Sequence, residues 1–586
     1  MADEIESFLE LKDDLASAVG PKLVIGPGAA WDDECEVLVV GFGLAGACAA
    51  LEAADRGLNV LLIDRFRGGG SSEMSGGVIY AGGGTPAQQD CGIADSPGAM
   101  ADYLLREVAG VVSEATVRKF CDESSETLAF VSRQGVHFSG PAAPRKTSYP
   151  PPGTYLYYSD NSTVPAYRGN EPPAERGHRC KDPALVPGAR LPTGKKPHGG
   201  FTEGADMGWH MMAAMKQAVA EHPRIRVLLQ CRAERLIADA AGAIVGVELA
   251  TIPAGSRAAQ RHGWAESKSN KIPWQLLGFA RPFIKWFRRI ENRDARRSRV
   301  WARGGVILAA GGYIRNKAIL ARYAAPYLKT FPVGSHGDDG AGIRLGVSAG
   351  GVAEHLDKIS AWRFVNPPFE WTKGIIIGQD GTRITNEEQY GAHMTRDIYE
   401  KSNGKAWLIV DQQTWAGALA EAQSPEMYGF QTFPVKQAKK SAVRAPSITE
   451  LAQKLGVPAE PMVTAIEAYS AAARSDLPDP AGKSDKCRRA FDGGPYFAIS
   501  LEHKVPTNPI TSLSMGGLRV AEGTGAVVDR DGVPIRGLYA AGRTALGIPS
   551  NNYVSGLSLA DCVWSGRRAA AAISNEIESS VTSEVP

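Results

Sequence analysis

Residues 36–65, EVLVVGFGLAGACAALEAADRGLNVLLIDR, constrain the fold more than any other stretch of the chain. Residues 37–40 are a short apolar run that reads as a buried parallel strand. Gly41, Gly43 and Gly46 follow in GxGxxG spacing and lead into an alanine-rich helix. In such a unit the first glycine permits the tight turn, the second lets the backbone approach a pyrophosphate, and the third lets the helix pack on the strand. The amides of Leu44 and Ala45 then open a helix whose positive end favours phosphate. A second apolar strand, 60–63, ends in Asp64, at the distance expected of a carboxylate that holds ribose hydroxyls. Strand, turn, helix, strand and acid occur in that order, which predicts a dinucleotide-binding βαβ unit and an α/β fold.

Further motifs narrow the nucleotide. Residues 65–84, RFRGGGSSEMSGGVIYAGGG, are too rich in glycine and serine for a regular element; with Arg65, Ser71, Ser72, Ser75, Gly76 and Gly77, they suit a loop whose amides wrap a phosphate and a ring. Near the other end, 537–543 (GLYAAGR) and 550–561 (SNNYVSGLSLAD) supply a short strand, a turn at Gly542 and a helix start carrying Ser558 and Leu559. Together with 306–312 (VILAAGG), 337–340 (GDDG), 381–387 (GTRITNE) and 515–518 (MGGL), these motifs make the chain resemble the fumarate reductase and succinate dehydrogenase flavoprotein superfamily. Within it the chain is most similar to the bacterial FAD-dependent 3-ketosteroid Δ4-dehydrogenases.

The resemblance covers most of the chain and implies FAD, with Ala310, Gly311 and Asp339 added to the residues above as its contacts. The respiratory enzymes bind flavin through a histidine, but residues 69–75 contain none, so noncovalent FAD is expected. The implied architecture is a Rossmann-like FAD-binding domain built from 1–345 and 504–586, with an α+β capping domain inserted at 346–503 that carries helices at 449–455 and 460–474. Arg543 stands where relatives have an acid, which leaves its contact with FAD open.

A chain of 586 residues can bury two substantial cores. No apolar run reaches the roughly 18 residues of a spanning helix, and the acidic start, MADEIESFLELKDDL, has no signal-peptide pattern. Eight cysteines without CxxC pairs favour reduced thiols and a cytoplasmic site. The ten histidines show no metal-ligand spacing, and His210 is expected on or under a helix face; no metal is expected.

Charge is unevenly spread. Residues 252–304 hold thirteen Lys or Arg against three acids, in a chain of formal net charge +2. This stretch lengthens a connection that is short in the resembled superfamily, giving an insertion at 253–303. Leu276, Phe279, Phe283, Trp286, Phe287 and Ile290 recur at three- and four-residue steps with Arg281, Lys285, Arg288 and Arg289 among them, and Pro282 either kinks this helix or starts a new one. Residues 272–299 therefore suit the plane of an anionic membrane, on the inner face of the cell membrane; the alternative is that the apolar stripe docks on the body of the protein or on a second subunit. Without a recognised binding module, nucleic acid is excluded. Residues 144–197, rich in Pro, Tyr and Gly, read as a long ordered loop bordering the substrate cleft.

Catalytic candidates come from the resemblance. Where fumarate-reducing relatives place a proton-donating arginine after the N-E pair and a carboxylate-clamping arginine near the C-terminus, this chain has Tyr390 one residue before the first position and Tyr553 at the second. A phenol cannot replace a bidentate guanidinium, so a dicarboxylate is disfavoured and a neutral ketone favoured. The Tyr553, Ser555 arrangement resembles the Δ4 enzymes; the proline- and glycine-rich run of the Δ1 enzymes is missing. The implied reaction introduces a C4–C5 double bond into a 3-ketosteroid by enolisation at C4 and hydride transfer from C5 to flavin N5, with an external electron acceptor. Tyr553 polarises the C3 carbonyl, Tyr390 takes the C4 proton, and Ser555 orients Tyr553, with the two tyrosine roles open to exchange. The alternatives are a Δ1-dehydrogenase, a fumarate-reductase-like reductase of enones or unsaturated acids, and a membrane-recruited flavoprotein without catalysis.

Overall fold

The computed structural model describes residues 2–11, 16–169, 171–191, 207–272, 278–502 and 510–583. Its centre is a nine-stranded sheet ordered Leu23–Val24, Cys231–Ala238, Ile244–Thr251, Arg296–Leu308, Asp33–Val40, Val60–Asp64 and Ile225–Leu229, with Pro534–Ala540 pairing Arg296–Leu308 and Ala526–Val528 beside it. The pairs around the motif are parallel: Val37 lies opposite Val60, and Val306 opposite both Leu38 and Leu538. Both faces of these strands are covered, which explains why they read as unbroken apolar runs and not as alternating ones. Val37, Val39, Val60 and Leu62 face one core with the helix Leu44–Asp55, while Leu38, Val40, Leu61 and Ile63 face a second core with Ile343 and Leu345.

The alanines of Leu44–Asp55 have a packing purpose. Every residue from Leu44 to Ala54 is buried, and the C-terminal helix Leu557–Ser583 crosses so closely that a Cβ on Gly566 would stand 2.4 Å from the Ala45 carbonyl oxygen. Small side chains are what allow two backbones this near.

Residues 225–251 form three strands, because Gln230 takes φ +52 and ends Ile225–Leu229 one residue before Cys231–Ala238 begins. Arg296–Leu308 starts ten residues before Val306, since its first half pairs antiparallel with Ile244–Thr251. Residues 296–303, expected within the insertion, are thus sheet, and their arginines are exposed in the N-terminal half of a strand whose C-terminal half is buried.

The helical part of the insertion is a hairpin, Arg257–Lys271 and Arg281–Asp294, and Pro282 lies in the first turn of the second helix, where its missing N–H costs nothing. Leu276 lies outside the described residues. The apolar stripe divides: Ile284, Phe287 and Ile290 are buried against the body, whereas Phe279 and Trp286 are exposed and Phe283 is half-buried. Among the described residues no helix is long and apolar enough to cross a membrane.

A second, antiparallel sheet of Ile375–Ile377, Trp407–Val410, Tyr496–Ser500 and Val443–Ala445 separates two further cores. The helices Ile448–Leu455 and Ala459–Ala473 cover one face through Leu451, Met462 and Ile466; Gly391–Ser402 covers the other through Met394 and Ile398. Of the long Pro/Tyr-rich segment, Leu156–Tyr157 and Gly177–Arg179 form a small sheet with Val78–Tyr80, which ties it to the glycine-rich loop; Asn170 and residues 192–197 lie outside the described residues.

Candidate functional site

A cavity of about 630 Å³ opens at the carboxyl ends of the central parallel strands, where open α/β sheets place their ligands. Gly41, with φ +109, turns the chain so tightly that a Cβ there would lie 2.4 Å from the Ala309 carbonyl oxygen. Gly43, Leu44 and Ala45 line the cavity, so the start of the following helix faces it, as a pyrophosphate requires. Asp64, Arg65, Ser71, Ser72, Ser75, Gly76, Ala310, Gly311, Gly542, Ser558 and Leu559 line it too. The volume lies in the range of cofactor pockets, and the glycine cradle together with the amide-rich loop fits FAD.

Three expected contacts stand behind the wall. Gly46 is pressed against the turn, where a Cβ would come 1.8 Å from the Gly41 carbonyl oxygen. Gly77 is covered by Cys180 and the Met207–Gly208 backbone. Asp339 turns away to accept hydrogen bonds from Ser17 at 2.7 Å and Arg65 at 2.8 Å. Its neighbour Asp338 faces the cavity instead, accepting from Ser71 at 2.6 Å, from the Gly312 amide at 3.0 Å and from Arg543 at 2.7 Å. Arg543 is thereby paired with a carboxylate that lines the cavity. The Asp64 carboxylate accepts from the Phe42 and Phe66 amides at 2.9 and 2.7 Å, holding the turn together.

Beyond the glycine cradle the cavity reaches Trp362 and Tyr553, whose rings stack at 5.3 Å. Tyr390 lies 6.0 Å from Tyr553 between ring centroids, and Phe364 meets its edge at 5.9 Å. The two sequence-distant tyrosines are therefore neighbours, with Tyr553 in the cavity lining and Tyr390 buried beside it. Buried polar contacts hold them there. The Tyr390 amide donates to Asn161 Oδ1 at 2.6 Å, and the Asn161 amide donates to the Tyr103 hydroxyl at 3.0 Å, which in turn donates to Glu107. His393, one turn beyond Tyr390, meets Glu107 at 2.7 Å, and Asn551, two residues before Tyr553, donates to the Glu107 carbonyl at 2.8 Å. One residue of the helix Pro97–Val108 so anchors both tyrosine segments.

Ser555 does not sit as expected. Its hydroxyl lies 2.9 Å from the Tyr157 hydroxyl and hydrogen-bonds Tyr390, not Tyr553. Burial pushes the Tyr390 phenol well above its usual range, with the neighbouring Tyr553 adding to this and the Ser555 hydrogen bond opposing it. Burial also pushes Tyr553 up, to about 12, although nearby Arg543 and the Gly556 amide hold it back. Both phenols are protonated at neutral pH.

The arginines lining the cavity are paired: Arg65 with Glu291, Arg67 with Glu266, Arg232 with Glu234 and Arg543 with Asp338, at 2.6 to 2.8 Å. Arg363, next to Trp362, is buried; it donates to the Glu502 carbonyl at 2.9 Å, and desolvation lowers its pKa to about 10. Sequence reasoning missed Asp338, Tyr157 and Trp362, and also Glu266, Ser267, Asn270 and Lys271 of the insertion, which line the cavity. Only Asp338 left a signal, as the other acid of the GDDG motif.

Known proteins resemble this chain along most of its length. The 3-oxo-5-alpha-steroid 4-dehydrogenase of Comamonas testosteroni is 37% identical over 537 residues, covering 89% of this chain and 96% of that protein. The 3-oxosteroid 1-dehydrogenase of Mycolicibacterium smegmatis is 26% identical, over 89% and 93%. Among solved structures, the 3-ketosteroid-delta4-(5alpha)-dehydrogenase of Rhodococcus jostii RHA1 in complex with 4-androstene-3,17-dione matches with a TM-score of 0.76 and 25% identity, covering 95% of this chain and all of that one. The profile of the FAD binding domain family matches residues 36–559, nearly the whole chain, and the protein belongs to that family of FAD-dependent oxidoreductases.

Proposed function

We propose that this protein is an FAD-dependent 3-ketosteroid Δ4-dehydrogenase, with residues 346–503 acting as the capping domain over the steroid. The observation that carries the reading is Tyr553, which lines the FAD cleft stacked on Trp362, with the buried Tyr390 ring 6.0 Å away between centroids, edge-on to Phe364 and linked through Ser555 to Tyr157. A flat apolar substrate suits such walls, and uncharged donors suit a ketone. Tyr553, kept neutral by burial, donates to the C3 carbonyl oxygen and stabilises negative charge as it develops there. Tyr390 takes the C4 proton as the phenolate, once its own proton has left by way of the Ser555 and Tyr157 hydroxyls to solvent; that hydrogen-bonded exit separates its role from that of Tyr553. Bound FAD supplies the acceptor for the C5 hydride. Water is excluded by the aromatic wall.

Arg363 favours a second reading, reduction of an unsaturated acid, because a buried guanidinium without a carboxylate partner among the described residues suits an anion. Anaerobic mixing separates the two. Saturated 3-ketosteroids are expected to bleach the oxidised flavin absorbance and give the 4-ene product, whereas dicarboxylates leave the reduced enzyme unoxidised. Failure of every ketosteroid to bleach it, with reoxidation by an unsaturated acid, would sink the Δ4 assignment.

We further propose that the outer face of the hairpin rests on an anionic membrane, where a sterol-like substrate dissolves. Trp264 packs against Phe283 and Trp286 at 5.6 and 5.5 Å, Lys268 lies 5.5 Å over the Trp264 ring, and Phe279 at the start of the second helical segment is exposed. Exposed aromatics ringed by lysine and arginine suit the headgroup boundary. Replacing Trp264, Phe279 and Trp286 by alanine is expected to weaken binding to phosphatidylglycerol vesicles at least about tenfold. Co-sedimentation equal to the parent protein would refute the anchor.

A further inference from the structure

The inner face of the same hairpin lines the cavity. In a unit of this kind the glycine turn marks the pyrophosphate and the acid ending the second strand marks the adenosine ribose. Past Asp64 the cavity wall runs through Arg65, Phe66, Arg67 and Gly68 and then leaves the FAD-binding motifs altogether, continuing with Glu266, Ser267, Asn270 and Lys271 of Arg257–Lys271.

This wall is firmly attached. Arg65 pairs with Glu291 at 2.8 Å, and Glu291 lies 3.1 Å from His262 Nε2. The Phe66 ring stacks on His262 at 5.9 Å and meets Phe287 edge-on at 5.5 Å. Ser269 Oγ lies 2.9 Å from His336 Nε2, on the far side of the cleft mouth. The three residues after Asp64 are thus clamped by the hairpin, and Arg67 completes the clamp by donating to Glu266 Oε2 at 2.8 Å.

Glu266 is the group of interest. It is buried, and Asn270 donates to its Oε1 at 2.8 Å, so each oxygen has one protein donor and retains lone pairs. Burial raises its pKa, with Arg67 opposing, so a further donor would be strongly held. Asp64, by contrast, already accepts three backbone amides, from Phe42, Phe66 and Gly68.

We propose that the inserted hairpin is part of the cofactor site: Glu266 and Asn270 close the adenosine half of the FAD cleft, and Glu266 accepts a hydrogen bond from an adenosine donor. The inference rests on FAD binding, not on the steroid or membrane readings. It is tested by reconstituting the apoprotein and following flavin fluorescence. Glu266→Ala is expected to raise the Kd for FAD at least about tenfold, the loss of one charge-assisted hydrogen bond. ADP, as a competitor, should weaken by the same factor, while FMN, which lacks the adenosine, binds as before. Glu266→Gln, isosteric and expected to fall in the same direction, carries the test where the alanine variant does not fold. An FAD affinity within about twofold of the parent, or FAD and FMN affinities falling together, overturns the proposal.

Discussion

Tyr553→Phe is expected to retain FAD and lose turnover of saturated 3-ketosteroids by about 10²–10³-fold in kcat, the cost of removing one donor from a developing oxyanion. The ring keeps its stack on Trp362, so the wall of the cavity persists and the loss reports the hydroxyl alone. Since the phenol works as a donor, the parent enzyme keeps this contribution below its pKa of about 12 and loses it as the pH rises through that value. The variant should lack that alkaline limb. Steady-state kinetics across pH, with flavin content measured by absorbance, provide the check; parent-level turnover in the variant would remove Tyr553 from the chemistry.

Gly46→Ala is expected to weaken FAD binding at least about a hundredfold, or to prevent a folded holoprotein from forming. Its Cβ would lie 1.8 Å from the Gly41 carbonyl oxygen, so Leu44–Asp55 must back away from the strand it packs on and carry its phosphate-facing start with it. Gly43→Ala is the contrasting case. The nearest atom to a Cβ there is Ser72 Oγ at 3.6 Å, so the protein itself has room, and the apoprotein is expected to fold with its parent melting temperature while losing affinity for FAD. Equal FAD affinity for Gly46→Ala and the parent would contradict the packing argument. Titration of apoprotein with FAD reads both variants.

The motif at residues 36–65 was legible because its chemistry is local. The turn, the helix start and the strand partners lie within thirty residues, and each glycine answers a steric demand from its own neighbourhood. The choice between Asp338 and Asp339 was not legible: adjacent residues in a loop have no periodicity to say which one turns inward, and contacts with Ser17, Arg65 and Arg543 from three distant segments decide it. Ser555 illustrates the same limit. Its spacing from Tyr553 suggested a partnership, yet Tyr157, 398 residues away, takes its hydroxyl. The hairpin divided for a related reason. A stripe of apolar residues predicts that something covers it, and the helical period groups Ile284, Phe287 and Ile290 on one side, but only the docked geometry distinguishes the side against Phe66 from the aromatic face left outside.

The sequence by itself therefore determined the class of sheet and the nucleotide cradle, since these depend on residue type at short spacing. Tertiary structure alone decided that Tyr390 and Tyr553 are neighbours, that Glu107 anchors both, and that an inserted hairpin lines the same cleft as the glycine motif. Such contacts join segments separated by hundreds of residues, and their geometry is set by how whole layers pack, which no local pattern encodes.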